Sequence, residues 1–140
     1  MVQPSYAAIE DFGKLNKDWA LVKTVAGTIG YINTSGEMVV QPIYKKVYKF
    51  NYNEGKYALV ESIVGSFGLI NSEGKEVVSP LYSKIGTFGE YKKDVALVKI
   101  LDFLFGFIDI NGNEVVPVKF YNLDEAIEAL NNTYKNEKIN

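Results

Sequence analysis

Gly30-Tyr31-Ile32-Asn33-Thr34-Ser35-Gly36, followed by Met38-Val39-Val40-Gln41-Pro42-Ile43-Tyr44, is the stretch that decides the fold. Its first half returns 38 positions on (30 + 38 = 68) as Gly68-Leu69-Ile70-Asn71-Ser72-Glu73-Gly74, and again as Gly106-Phe107-Ile108-Asp109-Ile110-Asn111-Gly112. Working outward, Ala20-Leu21-Val22 returns as Ala58-Leu59-Val60 and Ala96-Leu97-Val98, and Val39-Val40 as Val77-Val78 and Val115-Val116, all without a gap. A fixed period of this length marks a repeat array, in which each unit buries its apolar face against its neighbours.

Within one unit the residues spell strands and turns. Trp19-Ala20-Leu21-Val22-Lys23 and Ile29 to Asn33 are short runs of strand formers, joined across Ala26-Gly27, where glycine supplies the positive φ of a tight hairpin. Asn33-Thr34-Ser35-Gly36 opens on Asn and closes on Gly, the chemistry of a type I turn leading into a third strand, Met38 to Gln41. Gly30, inside a strand, predicts close approach of another backbone. Pro42 is expected to end the third strand because it donates nothing to a ladder. Beyond it Tyr44, Val47 and Phe50 lie three apart, matched by Tyr82, Ile85 and Phe88, and that spacing predicts a turn of helix or 3₁₀ helix. Pro4, Tyr6, Ile9 and Phe12 carry the same signature before the first full copy.

The fold class is therefore all-β: a single repeat domain over residues 1–140, with a partial repeat at 1–18 and three-stranded antiparallel meanders at 19–56, 57–94 and 95–121. A propeller is the alternative architecture. After Asn122, a helix-capping residue, Asp124 and Glu125 occupy a first helical turn, where negative charge is favourable. Leu123, Ala126, Ile127, Leu130 and Tyr134 then trace one apolar stripe, so residues 122–140 form a capping helix with a polar, fraying end after about Tyr134.

Composition narrows the chemistry. The 140 residues are 47% hydrophobic and 23% charged, with a net charge of -2 and 14% aromatics, ordinary for a globular domain except for the last figure. Cys and His are absent, and all 15 cations are Lys. That removes disulfides, thiolate metal sites and the usual general base near neutral pH. The balance of charge offers no broad field for nucleic acid or anionic membrane. No N-terminal leader pattern and no run of about 18 apolar residues is visible, so a cytoplasmic location is the default.

The units resemble the WG repeats, named for a Trp-Gly pair and found in many bacterial proteins. The stretches Ile29-Gly30-Tyr31-Ile32-Asn33, Phe67-Gly68-Leu69-Ile70-Asn71 and Phe105-Gly106-Phe107-Ile108-Asp109 carry the likeness, with Gly74-Lys75-Glu76-Val77-Val78-Ser79-Pro80-Leu81-Tyr82 the closest second half. Each copy replaces the Trp, with Ile29, Phe67 or Phe105. The resemblance implies β-rich binding modules without catalytic residues or cofactors, and small stand-alone members resemble immunity proteins that neutralise a bacterial toxin.

Three groups of side chains are candidates for contact with a protein partner. Tyr48 and Tyr52 lie in Tyr44-Lys45-Lys46-Val47-Tyr48-Lys49-Phe50-Asn51-Tyr52, which interleaves Lys with aromatics. Single-strand nucleic acid would suit such a surface, but Tyr44, Val47 and Phe50 occupy core register and no Arg is present to grip phosphates. Trp19 and Tyr57 share one repeat position, on the face opposite Ala20 and Ala58, where they serve either as core between sheets or as a platform for sugars. Ile100, Phe103 and Leu104 replace polar residues or Gly of the earlier copies and make either an exposed apolar tip or the seat of the terminal helix through Ile127 and Leu130. The need of a cap for an apolar landing favours the seat. Asp109, Asn111 and Asn113 imitate the start of a calcium loop, yet Glu114 stands where such a loop needs Gly, and a turn accounts for them.

Overall fold

A computed structural model of the chain describes residues 6–13 and 15–139, and it is built from eleven strands and one helix. Seven strands follow one another as neighbours in a first antiparallel sheet: β1 (Tyr6–Phe12), β2 (Trp19–Thr24), β3 (Ile29–Asn33), β4 (Met38–Tyr52), β5 (Tyr57–Ser62), β6 (Phe67–Asn71) and β7 (Glu76–Tyr82). The second sheet has the order β11-β10-β9-β8, from β8 (Lys84–Ile85), β9 (Val95–Ile100), β10 (Leu104–Asp109) and β11 (Glu114–Phe120). The chain packs as two compact units, Met1–Pro80 and Leu81–Asn140.

The turn chemistry works as its residues predict. Asn33 Oδ1 accepts hydrogen bonds from the amides of Ser35 (3.0 Å) and Glu37 (2.9 Å), and Gly36, at φ 81, donates its own amide to the Asn33 carbonyl. Asn71 serves Glu73 and Lys75 in the same way, and Asp109 serves Asn111 and Asn113. The Asp109 carboxylate thus builds a turn.

The segment after Pro42 corrects two expectations. Pro42 does not end its strand, and no helical turn follows it; β4 runs unbroken from Met38 to Tyr52. Ile29 faces Tyr44 and Tyr31 faces Val40, so four steps along β4 oppose two along β3. The surplus forms a bulge at Gln41-Pro42-Ile43, where proline's missing donor is no loss. This bulge lies directly over Gly30, whose imagined Cβ would stand 2.3 Å from the Val40 carbonyl oxygen. Further along, Tyr44, Val47 and Phe50 face Ser62, Val60 and Ala58: three steps on β4 against two on β5. Repeated bulges therefore create the three-residue spacing that imitates a helix. β1 repeats this register on β2, with Tyr6, Ile9 and Phe12 facing Thr24, Val22 and Ala20; Pro4 lies outside the described residues. In the next copy Gly86 and Gly89 replace Tyr48 and Asn51, and the equivalent strand is broken into β7 and the short β8.

The cores show how copies shield one another. In the first unit Trp19, Tyr31, Val40, Tyr44 and Val47 of one copy pack with Ala58, Val60 and Ile70 of the next. In the second unit the equivalent face, Val95, Leu97, Phe107 and Val116, packs on Ala126 and Leu130 of the helix α1 (Leu123–Ile139). The helix thus stands where a further repeat would. Asn122 caps it, its Oδ1 accepting the Asp124 amide at 2.7 Å, and the helix continues to Ile139, past the Tyr134 at which the sequence predicts fraying.

A side-chain bond ties successive copies. The Tyr44 hydroxyl donates to Glu76 Oε2, and the Tyr82 hydroxyl, also 32 residues before its partner, donates to Glu114 Oε2 at 3.0 Å. Burial first, and then the neighbouring carboxylate, push both phenols well above the ordinary tyrosine range. A folded-state pKa above the unfolded value of about 10 means a stabilisation complete below that pH and lost as pH rises through the folded value. With neither His nor Cys in the chain, no side chain of ordinary pKa titrates between the carboxylates and about pH 10. Urea midpoints should therefore stay level from about pH 6 to 9 and fall steeply above about pH 10. The double change Tyr44→Phe, Tyr82→Phe should cost about 1 kcal/mol per bond at neutral pH and flatten the alkaline fall; an unchanged alkaline limb would show that these phenols do not control it.

Candidate interaction surface

Several exposed apolar side chains fall at corresponding places in the repeats. Val25 (82% exposed) tips the β2–β3 hairpin, Ile63 and Val64 (81%) tip β5–β6, and Leu101 (66%) and Phe103 (50%) tip β9–β10. Ile43 and Leu81, themselves 38 residues apart, are also exposed. The register explains their grouping in the first unit. Tyr44 is paired with Ile29 on one side and with Ser62 on the other. Both hairpins therefore turn back at the same level of β4, and Ile43, in the bulge beside Tyr44, stands at that level. In the second unit Phe105 faces Phe120 by the same rule, and Phe103 stacks on the adjoining Tyr121, ring centroids 6.0 Å apart and planes 8° from parallel. Tyr121 is 75% exposed.

The third tip differs in its backbone. Copies one and two turn through a single left-handed glycine, Gly27 at φ 90 or Gly65 at φ 87. Copy three holds Leu101 at φ 57 and Asp102 at φ 64, a conformation that costs a side-chain-bearing residue about 1–2 kcal/mol. The Asp102 amide donates to Ser83 Oγ at 3.1 Å, which holds the turn in place. Leu101 therefore carries an apolar side chain, two-thirds exposed to water, on a strained backbone.

Of the residues singled out from sequence, Phe103 belongs to the tip of the second unit, and Ile100 and Leu104, paired across the hairpin and half-buried, form the base of that tip. The expectation that α1 lies across the tip is not met. The helix stripe meets Val95, Leu97, Phe107 and Val116, because that face is the one a next repeat would cover. Trp19 leaves the candidate set. It is 5% exposed, packed at 5.7 Å from the Tyr31 ring and 5.8 Å from Phe50, so it offers no stacking platform to a sugar. Tyr52 and Tyr57 face each other across the β4–β5 hairpin, half-buried, and burial raises the Tyr52 phenol. Tyr48 is held by a 3.2 Å hydrogen bond to Glu61, which also lies 3.8 Å from Lys45. Val25, Ile63 and Leu101 share one repeat register and Ile43 and Leu81 another, a signal present in the sequence; Val64 and Tyr121 have no exposed apolar counterpart in the other copies.

Among the described residues there is no grouping of three or more acidic side chains that could hold a metal ion, and no helix long and apolar enough to cross a membrane. The fold and its exposed tips define a class: open antiparallel meanders, repeated every 38 residues, with apolar loops presented to the outside. More specifically, the chain belongs to the family of the WG containing repeat, whose model matches it over residues 29–62, 67–102 and 105–125. No curated protein matches the chain.

Proposed function

We propose that this WG-repeat protein is a non-catalytic binding module that captures a protein partner on the apolar tip of its β9–β10 hairpin. The observation that carries this reading is the exposure of Leu101 on a strained backbone and of Phe103 stacked on Tyr121, with Val25 and Ile63 at the place of Leu101 in the other copies. Exposed apolar groups with little conformational freedom are what protein interfaces concentrate, and aromatic anchors dominate their energetics. Toxin neutralisation of the immunity type is the specific form we propose, supported by the family resemblance. The cytoplasm, where a cysteine-free chain has no use for oxidation, is the compartment we propose.

The test is a pull-down from native lysate with wild-type protein and tip variants side by side. Leu101→Ser with Phe103→Ser should leave stability within about 1 kcal/mol of wild type, since exposed positions tolerate change, and Leu101→Gly should raise it by about 0.5–1 kcal/mol by relieving the turn. All of these should lose a stoichiometric partner, with the double variant weakened by about a hundredfold or more. Recovery of the same partner by the double variant at unchanged affinity would contradict the proposal.

A further inference from the structure

The interleaved Lys and aromatic residues of β4 take no part in the tips, yet they form one wall of a groove in the first unit. Leu21, Tyr31 and Val47 make its apolar floor, and Lys46, Tyr48 and Lys49 its rim, with Leu15 closing one end. Its volume is about 500 Å³, within the roughly 300–1,000 Å³ of small-molecule sites. The bulges of β4 explain how consecutive residues reach one cavity, since each bulge re-aims the side chains that follow it.

Charge selects the occupant. Lys46 Nζ sits 4.5 Å from the centre of the Tyr48 ring, and among the residues whose side chains are described no carboxylate stands within ion-pair distance of Lys49. Among the residues whose side chains are described, no Asp or Glu lines the groove, and Glu61, on β5, is already engaged by Lys45 and the Tyr48 hydroxyl. The repeat does not demand this arrangement: the next copy has Gly86, Thr87 and Gly89 in place of Tyr48, Lys49 and Asn51. Leu21 and Val47 offer nothing to the hydroxyls of a sugar or nucleotide, and Asn51, at the edge of the groove, only a single amide, so an apolar body with one charged end is the better match.

We propose that the groove binds a small organic acid, its planar apolar body lying on Leu21, Tyr31 and Val47 and its carboxylate held by Lys46 and Lys49. The experiment is an amide-resolved NMR titration of the full chain with 2-naphthoate, repeated with uncharged 2-naphthamide and with the double variant Lys46→Gln, Lys49→Gln. Both lysines are exposed, so the variant keeps the fold. Expected are saturable shifts centred on residues 21, 31 and 46–49, with binding weakened about tenfold or more by either removal of charge. No saturation up to about 10 mM, shifts centred on the hairpin tips, equal binding of the amide, or full affinity in the double variant would each overturn the proposal.

Discussion

Replacing Trp19 with Ala is expected to remove about 3–5 kcal/mol of stability, a large part of the roughly 5–15 kcal/mol that holds a domain of this size together. The indole is 5% exposed and fills the space between the first two copies, against Tyr31 and Phe50 of its own copy and in one core with Ala58, Val60 and Ile70 of the next. Truncation would leave a cavity that no neighbour can fill without moving a strand. Trp19→Phe should recover more than half of the loss, because an aromatic ring still bridges the copies. Circular dichroism during urea unfolding measures both. A change of less than about 1 kcal/mol in Trp19→Ala would place the indole outside the core, on an accessible face, and would reopen its role as a stacking platform.

Gly30→Ala should be as damaging, for a different reason. A Cβ at that position would lie 2.3 Å from the Val40 carbonyl oxygen and 2.8 Å from Gln41 C and Pro42 Cα, all of them backbone atoms that cannot swing aside. The bulge over Gly30 would have to open, breaking the β3–β4 register; the expected cost is about 3 kcal/mol or more. A Cβ at Gly68 would press on the Val78 carbonyl oxygen in the same way in the second copy, so Gly68→Ala should match it. Gly27→Ala is the control. Nothing lies within 4 Å of its Cβ, and only its φ of 90 opposes the change, at about 1–2 kcal/mol. Equal losses at Gly27 and Gly30 would show that turn strain, and not the close approach at the bulge, is what these glycines relieve.

The sequence carried the repeat, the hairpins, the glycine contacts and the capping helix, because each of these depends on residues near one another in the chain. Asn33 and Gly36 fold their own turn, and Leu123, Ala126 and Leu130 share a helix face whatever lies beneath them. The misreading at Tyr44, Val47 and Phe50 has a physical cause. A strand with a bulge after every inward residue has the same spacing of three as a 3₁₀ helix, and only pairing with β5 distinguishes them. Pro42 misled in the same way, since a bulge accepts a proline that a regular ladder rejects. The landing of α1 depended on which face of the third copy lay open, a tertiary fact that periodicity along one element does not contain. The tips were half legible. Ile100, Phe103 and Leu104 stand out by contrast with polar counterparts or Gly, whereas Val25 and Ile63 meet apolar residues at the same register of the other copies and show no such contrast. The groove needed Leu15, from the loop after β1, to meet β2, β3 and β4.

The central claim is that the stacked copies are a scaffold and the hairpin tips are the part that works. Photo-crosslinking tests it most directly: a photoreactive amino acid is placed at Val64 or Leu101, and in parallel at Glu73, which is exposed on a turn outside the tips. After irradiation in native lysate, each tip position should yield a discrete heavier species, and Glu73 should yield none. Crosslinking from Glu73 with none from either tip would contradict the account.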